Sequence, residues 1–154
     1  MGLIDDAGKG PVGVDTALFI YLIEEDPLFL PVVLPLFREA DEGKRELVTS
    51  ALTLLEVLVV PYRTGDRPLA QRYEALLTTS RGVRLVDITR DQLAAAAQLR
   101  AVTSARTPDA LQLVAAIGQG CKVFVTNDRR LPAIPGLQVL QLNGYTRQRP
   151  PLSD

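Results

Sequence analysis

Histidine is absent from the 154-residue chain, cysteine occurs once and tryptophan not at all. Without an imidazole there is no Ser-His-Asp or Cys-His nucleophilic machinery, no histidine general base and no Cys/His zinc site. The lone Cys121 excludes an internal disulfide and an all-cysteine metal centre, and gives no sign of an oxidising compartment. With four Tyr and four Phe, aromatic residues are too few to argue for a base-stacking platform. An excess of either charge is missing too: 17 Lys and Arg face 18 Asp and Glu, so any basic patch must be local. No apolar run reaches the length of a membrane span, the longest being cut by Pro31, Pro35, Glu56 and Gly118. Met1 to Gly10 lacks the basic start and apolar stretch of a signal peptide. The expectation is a cytoplasmic protein, off the membrane, whose chemistry runs on carboxylates, hydroxyls, Lys and Arg.

What is present suits one domain over 1–154, with a core at about 12–140 and a loose tail from about 146 to 154 carrying Pro150 and Pro151. Short apolar runs predict strands at Val12–Val14, Leu47–Ser50, Val83–Val86, Lys122–Thr126 and Leu137–Leu140. Helical patterns fill the gaps: Thr16–Glu24, Pro27 to about Glu42 with a kink or break at Pro35, and Leu52–Tyr62 with Ser50 as N-cap. Three more follow at Pro68–Thr78, Thr89–Ala101 and Pro108–Gln119, with Gly65-Asp66 separating the helix before Gly65 from the one after Asp66. Strands alternating with helices predict an α/β domain of three αβα layers around a mostly parallel five-stranded sheet. In such sheets sites form beyond the carboxyl ends of the strands, where the strand order reverses.

Four carboxylates stand alone in this pattern. Asp15 directly follows the first strand and is the only charge between Lys9 and Glu24. Glu56 is the sole charge between Glu46 and Arg63, and its helical neighbours Leu52, Val59 and Val60 are apolar, with only Thr53 able to hydrogen-bond. Asp109 opens an Ala/Leu/Val/Ile helix, and Asp128 follows the fourth strand in Val123-Phe124-Val125-Thr126-Asn127-Asp128. Structural alternatives exist: helix N-caps for Asp15 and Asp109, a turn for Asp128, and for Glu56 a buried ion pair with Arg63 or Arg106. If instead the four converge, two carboxylates about 5 Å apart repel by roughly 3 kcal/mol at an effective dielectric of about 20, so the group demands a cation. With only hard oxygen ligands on offer, that ion is expected to be Mg²⁺ or Mn²⁺, held partly through water. It would supply the activated water that a histidine-free chain lacks, and the chemistry implied is phosphodiester hydrolysis.

Four segments in order resemble the PIN-domain nucleases, and among them the VapC-like toxins of bacterial toxin-antitoxin pairs. They are Val14-Asp15-Thr16 with Leu18 to Leu22, Thr49 to Val57 around Glu56, Arg106-Thr107-Pro108-Asp109-Ala110-Leu111-Gln112-Leu113, and Val125 to Leu131. The resemblance spans about Val12 to Leu140. It implies that Asp15, Glu56, Asp109 and Asp128 are the metal-binding and catalytic quartet, supported by Thr16, Thr126 and Asn127; by sequence proximity, Arg106 and Arg129 are the basic residues expected at substrate phosphate. It implies also an RNA substrate, a cognate antitoxin protein and a homodimer. One departure is visible: where many relatives carry a further acid beyond the fourth strand, Arg129, Arg130 and Leu131 stand here. The competing readings are a non-enzymatic interaction module that keeps the fold, and a receiver-like phosphoacceptor domain, which would want a late Lys that this chain lacks after Lys122. For the antitoxin the apolar segment Pro27–Phe37 is the expected surface, forming with the preceding helix a groove in which Phe29 and Leu30 act as anchors.

Overall fold

The computed structural model describes residues 2–146; the expected loose tail beyond Thr146 lies outside them. Helix α1 (Leu3–Ala7) precedes β1 (Val12–Val14), α2 (Thr16–Ile23), α3 (Leu30–Asp41), β2 (Leu47–Ser50), α4 (Leu52–Thr64) and α5 (Arg67–Thr79). Then come β3 (Val83–Val86), α6 (Arg90–Val102), α7 (Thr107–Gly118), β4 (Val123–Thr126), β5 (Gln138–Gln141) and a 3₁₀ turn, Leu142–Tyr145. The strands form one sheet in the order β3-β2-β1-β4-β5, every neighbouring pair parallel. The order reverses between β1 and β4, the crevice where a doubly wound sheet offers its site.

Alternation along the strands builds two cores. Val12 and Val14 of β1, Leu47 of β2 and Val123 and Val125 of β4 point into the larger one, shared with α1 to α5. Val48 and Phe124 point the other way, onto Leu113 and Ala116 of α7. Gly13 lies opposite that helix, where a Cβ would come within 2.6 Å of Phe124 and 2.7 Å of Ala116. Only a hydrogen at this position lets α7 approach β1 closely enough to bring the start of the helix over the end of the strand.

The local signals act as expected with small shifts. Asp66 caps α5 through the Leu69 amide (3.1 Å), Thr89 caps α6 through Gln92 (3.2 Å), and Gly65 ends α4 in the left-handed conformation at φ 71°. Ser50 accepts from the Leu52 amide at 3.1 Å, although Ala51 is the N-cap residue of α4. Two expectations need correction. Pro35 does not break α3, which runs through it from Leu30 to Asp41; the packing of Val33, Leu36, Phe37 and Ala40 in the core outweighs the one missing helical bond. The segment Pro27–Phe37 is also not an exposed apolar surface: Phe29, Val33, Leu36 and Phe37 are buried, Phe29 stacking on Tyr21 with centroids 4.5 Å apart, and only Leu28 is an exposed large apolar residue there. Phe29 is thus a core ring and not an exposed anchor, whereas Leu30 is half-buried and Leu34 and Phe37 line an apolar cavity with Leu22 of the preceding helix. Among the described residues no helix is long and apolar enough to cross a membrane.

Candidate functional site

Asp15, Glu56, Asp109 and Asp128, brought from the end of β1, from α4, from α7 and from the loop after β4, line one cleft of about 290 Å³ with Thr16, Arg106 and Gln112. Asp15 is fixed by both of its oxygens. As N-cap of α2 its Oδ1 accepts from the Ala17 amide at 3.1 Å, while the Thr126 hydroxyl donates to Oδ2. The capping alternative therefore holds for one oxygen only. Desolvation pushes the Asp15 carboxyl up to about 6, against the Thr126, Ala17 and Asn127 hydrogen bonds that would lower it. Among the described residues no cation pairs with it.

Glu56 departs from its expected setting. It is exposed, and so are its helical neighbours Val59 and Val60, so no buried charge has to be compensated and neither Arg63 nor Arg106 pairs with it. Periodicity showed apolar neighbours; it could not show that this face of α4 looks outward. What holds Glu56 is a chain of polar side chains. The Thr16 hydroxyl donates to Glu56 Oε1 at 2.6 Å and lies 3.2 Å from the Thr53 hydroxyl, which in turn accepts from Gln112 Nε2 at 2.7 Å. The Thr53 hydroxyl has one proton and two hydroxyls in reach, Thr16 at 3.2 Å and Thr49 at 2.7 Å, so the chain ties Glu56 to the buried Gln112 without fixing one direction of donation. Gln112 is buried, its Oε1 taking the Ser50 amide at 3.0 Å, and locks α7 to the end of β2. It was not among the expected residues, although a lone amide inside Ala110-Leu111-Gln112-Leu113-Val114 is a signal of the same kind as the lone carboxylates.

Asp109 is not an N-cap. That position belongs to Arg106, and Asp109 lies in the first turn of α7 with its Oδ2 accepting from Arg106 Nε at 3.1 Å. The same guanidinium donates through Nη2 to Asp128 Oδ2 at 3.0 Å. Asp128 does make its turn, accepting the Arg130 amide at Oδ1 (2.9 Å), and it also takes Arg130 Nε at 3.1 Å. Desolvation would raise the Asp128 carboxyl, but the Arg130 amide and the Arg130 and Arg106 guanidiniums hold it below its ordinary range. Thr126 links the two aspartates, donating to Asp15 and accepting the Asp128 amide at 3.0 Å. The Asn127 side chain donates instead to the Tyr21 hydroxyl at 3.1 Å. Of the two arginines expected near phosphate, Arg106 lines the cleft, whereas Arg129 lines a neighbouring groove with Gln141, Asn143, Gly144 and Thr146.

Among the described residues no three carboxylates are drawn together at metal-ligating distance. The reason is visible in the pairing: Arg106 bridges two of the four and Thr16 holds a third. The donor set nevertheless suits a hard divalent cation, being wholly carboxylate and hydroxyl oxygen, with a desolvated Asp15 whose ionised form a nearby cation would favour. Cys121, the chain's only cysteine, is buried in the smaller core against the sheet and is not part of the cleft.

The same architecture occurs in solved structures. VapBC2 from Rickettsia felis, bound to a DNA fragment from its promoter, aligns over 86% of this chain and 98% of that one at 18% identity and a TM-score of 0.63. A toxin-antitoxin complex from Klebsiella pneumoniae aligns over 86% and 97% at 20% identity (TM-score 0.60), and DNA-bound VapBC from Salmonella typhimurium over 87% and 98% at 20% identity (TM-score 0.55). These likenesses establish the fold alone. No curated protein matches the chain by sequence. A family model described as PIN domain matches residues 12–137, which takes in all four carboxylates and every strand but the last, and the chain belongs to the PIN-domain family.

Proposed function

We propose that the chain is a metal-dependent endoribonuclease, the toxin of a toxin-antitoxin pair, with Asp15, Glu56, Asp109 and Asp128 as its catalytic and metal-binding residues. The observation that carries this reading is the convergence of those four carboxylates, from four separate segments, on one cleft where the strand order of a PIN domain reverses. The residues that would hold Mg²⁺ or Mn²⁺ are these four, and when bound such an ion supplies an acidified water and neutralises phosphoryl oxygens. The chain's own part is positioning. Thr126 keeps Asp15 and the Asp128 backbone in register, Gln112, Thr53 and Thr16 orient Glu56, and Arg106 is the cation within reach of an incoming phosphate. A non-enzymatic module would gain nothing from a three-residue relay that ends on an exposed carboxylate.

RNA as substrate, a cytoplasmic setting, an antitoxin partner and a homodimer belong to the same reading. The exposed apolar side chains Leu55, Val59, Val60 and Tyr62 on α4 support a protein partner on the helix that carries Glu56. The test is cleavage of single-stranded RNA by the purified chain with Mg²⁺ or Mn²⁺ and with EDTA, beside Asp15→Asn and Asp109→Asn. Cleavage that needs metal and falls by more than about a hundredfold in both variants, with unchanged circular dichroism, is the expected result. Full activity in either variant would remove the quartet from the chemistry.

A further inference from the structure

Arg106 stands in an electrostatically poor place for a helix. It is the N-cap residue of α7, its side chain makes no capping bond, and a cation at a helix N-terminus opposes the positive end of the dipole. Half exposed at 51%, it also gains little as a surface ion pair. What its guanidinium does is span two carboxylates from different segments, Nε to Asp109 Oδ2 at 3.1 Å and Nη2 to Asp128 Oδ2 at 3.0 Å. Those are two of the four groups proposed to hold the metal. If Arg106 leaves, Asp128 keeps Arg130, at 3.1 Å on Oδ1 and 3.5 Å on Oδ2, whereas Asp109 keeps no ion-pair partner among the described residues.

We infer that Arg106 is a displaceable latch: its guanidinium joins Asp109 to Asp128 in the metal-free protein, and a divalent cation at these carboxylates must displace it, releasing it to bind the phosphate of the substrate. The inference rests on the nuclease reading above and adds a regulatory coupling to it. Metal and Arg106 compete for the same oxygens, so the quartet's repulsion is relieved within the chain when metal is scarce. A single residue then serves two states, with the mobile fork of an arginine suited first to carboxylates and then to phosphate.

The experiment is a Mn²⁺ titration of the full chain stripped with EDTA, free Mn²⁺ being read by electron paramagnetic resonance, for the wild type, Arg106→Gln, Arg106→Lys and Arg130→Gln, with melting curves at each end point. Arg106→Gln should bind Mn²⁺ roughly two- to fivefold more tightly than wild type, the range of a partly exposed ion pair converted to affinity. It should also melt lower without metal and close that gap in saturating Mn²⁺. Arg106→Lys, which keeps the charge without the fork, should fall between. Arg130→Gln removes an equal charge beside Asp128 and should change Mn²⁺ affinity less. At saturating Mn²⁺ the cleavage of RNA by Arg106→Gln should still be reduced. Mn²⁺ bound equally or more weakly by Arg106→Gln, or tightened as much by Arg130→Gln, would overturn the latch while leaving the nuclease reading in place. Unreduced cleavage by Arg106→Gln would overturn the release to phosphate. Absence of Mn²⁺ binding in every form would remove the metal reading and the latch with it.

Discussion

The two ends of the sheet treat buried charge in opposite ways. At the amino end Arg45 has 4% of its side chain exposed and a partner for each guanidinium nitrogen: Glu39 Oε1 at 2.7 Å, the Gly10 carbonyl at 3.0 Å and the Gly8 carbonyl at 2.6 Å. It ties the chain before β1 to α3 and β2, and its chemistry ends there. At the carboxyl end four carboxylates share two arginines, and the most desolvated of them, Asp15, has hydroxyl and amide donors but no cation among the described residues. Removing one partner of a fully paired buried charge is costly, whereas a cluster short of countercharge is the setting the proposed metal reading requires.

Breaking the amino end should cost most in stability. Arg45→Met strands Glu39 and two carbonyls, and a loss of about 3 kcal/mol is expected in urea denaturation, with RNA cleavage per folded molecule unchanged. Lost cleavage in folded Arg45→Met would show that the two ends are coupled. At the carboxyl end the same kind of change should act with the opposite sign. Because the Asp15 carboxyl is raised from 3.8 to about 6, the folded state binds the extra proton between those values. Stability of the metal-free wild type should therefore fall as pH rises from about 4 to 6, by at most about 3 kcal/mol, and level off above. Asp15→Asn should lose this slope and be the more stable protein at pH 7 without metal. A wild-type profile flat over that window would mean that Asp15 is not desolvated. The smallest effect sharpens the comparison from the middle of the sheet. Gly13→Ala should cost about 1–3 kcal/mol by pushing α7 off β1, and because α7 carries Arg106, Asp109 and Gln112 it should lower cleavage beyond the loss of folded protein. A change in stability alone would show that the cleft tolerates a shift of its helix.

Much of this was legible because periodicity and isolation survive in one dimension. Each five-element strand pattern, the caps at Asp66 and Thr89 and the C-terminal Gly65 are local choices, made by residues within a few positions of where they act. Asp15, Glu56 and Asp109 were visible as single charges in largely apolar stretches and Asp128 by its place after the fourth strand, and the crevice followed from parallel strands alternating with helices. The misses share one cause. The continuity of α3 through Pro35, the burial of Phe29 and the exposure of Glu56 depend on which face of a helix meets the sheet, and that is settled by neighbours far away in the chain. Arg129 is the nearer to Asp128 in sequence, yet the turn at Asp128 directs Arg130 onto its carboxylate and leaves Arg129 lining the next groove.

The layers and the alternation of strands and helices from β1 onward could be read from the sequence alone, because apolar period and helix and turn signals need no knowledge of distant contacts; helix α1 could not. Tertiary structure decided who pairs with whom. Arg106 reaches Asp128 across 22 positions, Thr16 reaches Glu56 across 40 and Gln112 reaches Thr53 across 59. Such contacts last only where packing has already fixed the backbones, since a hydrogen bond contributes about 1 kcal/mol and cannot by itself offset the entropy of closing loops of that length.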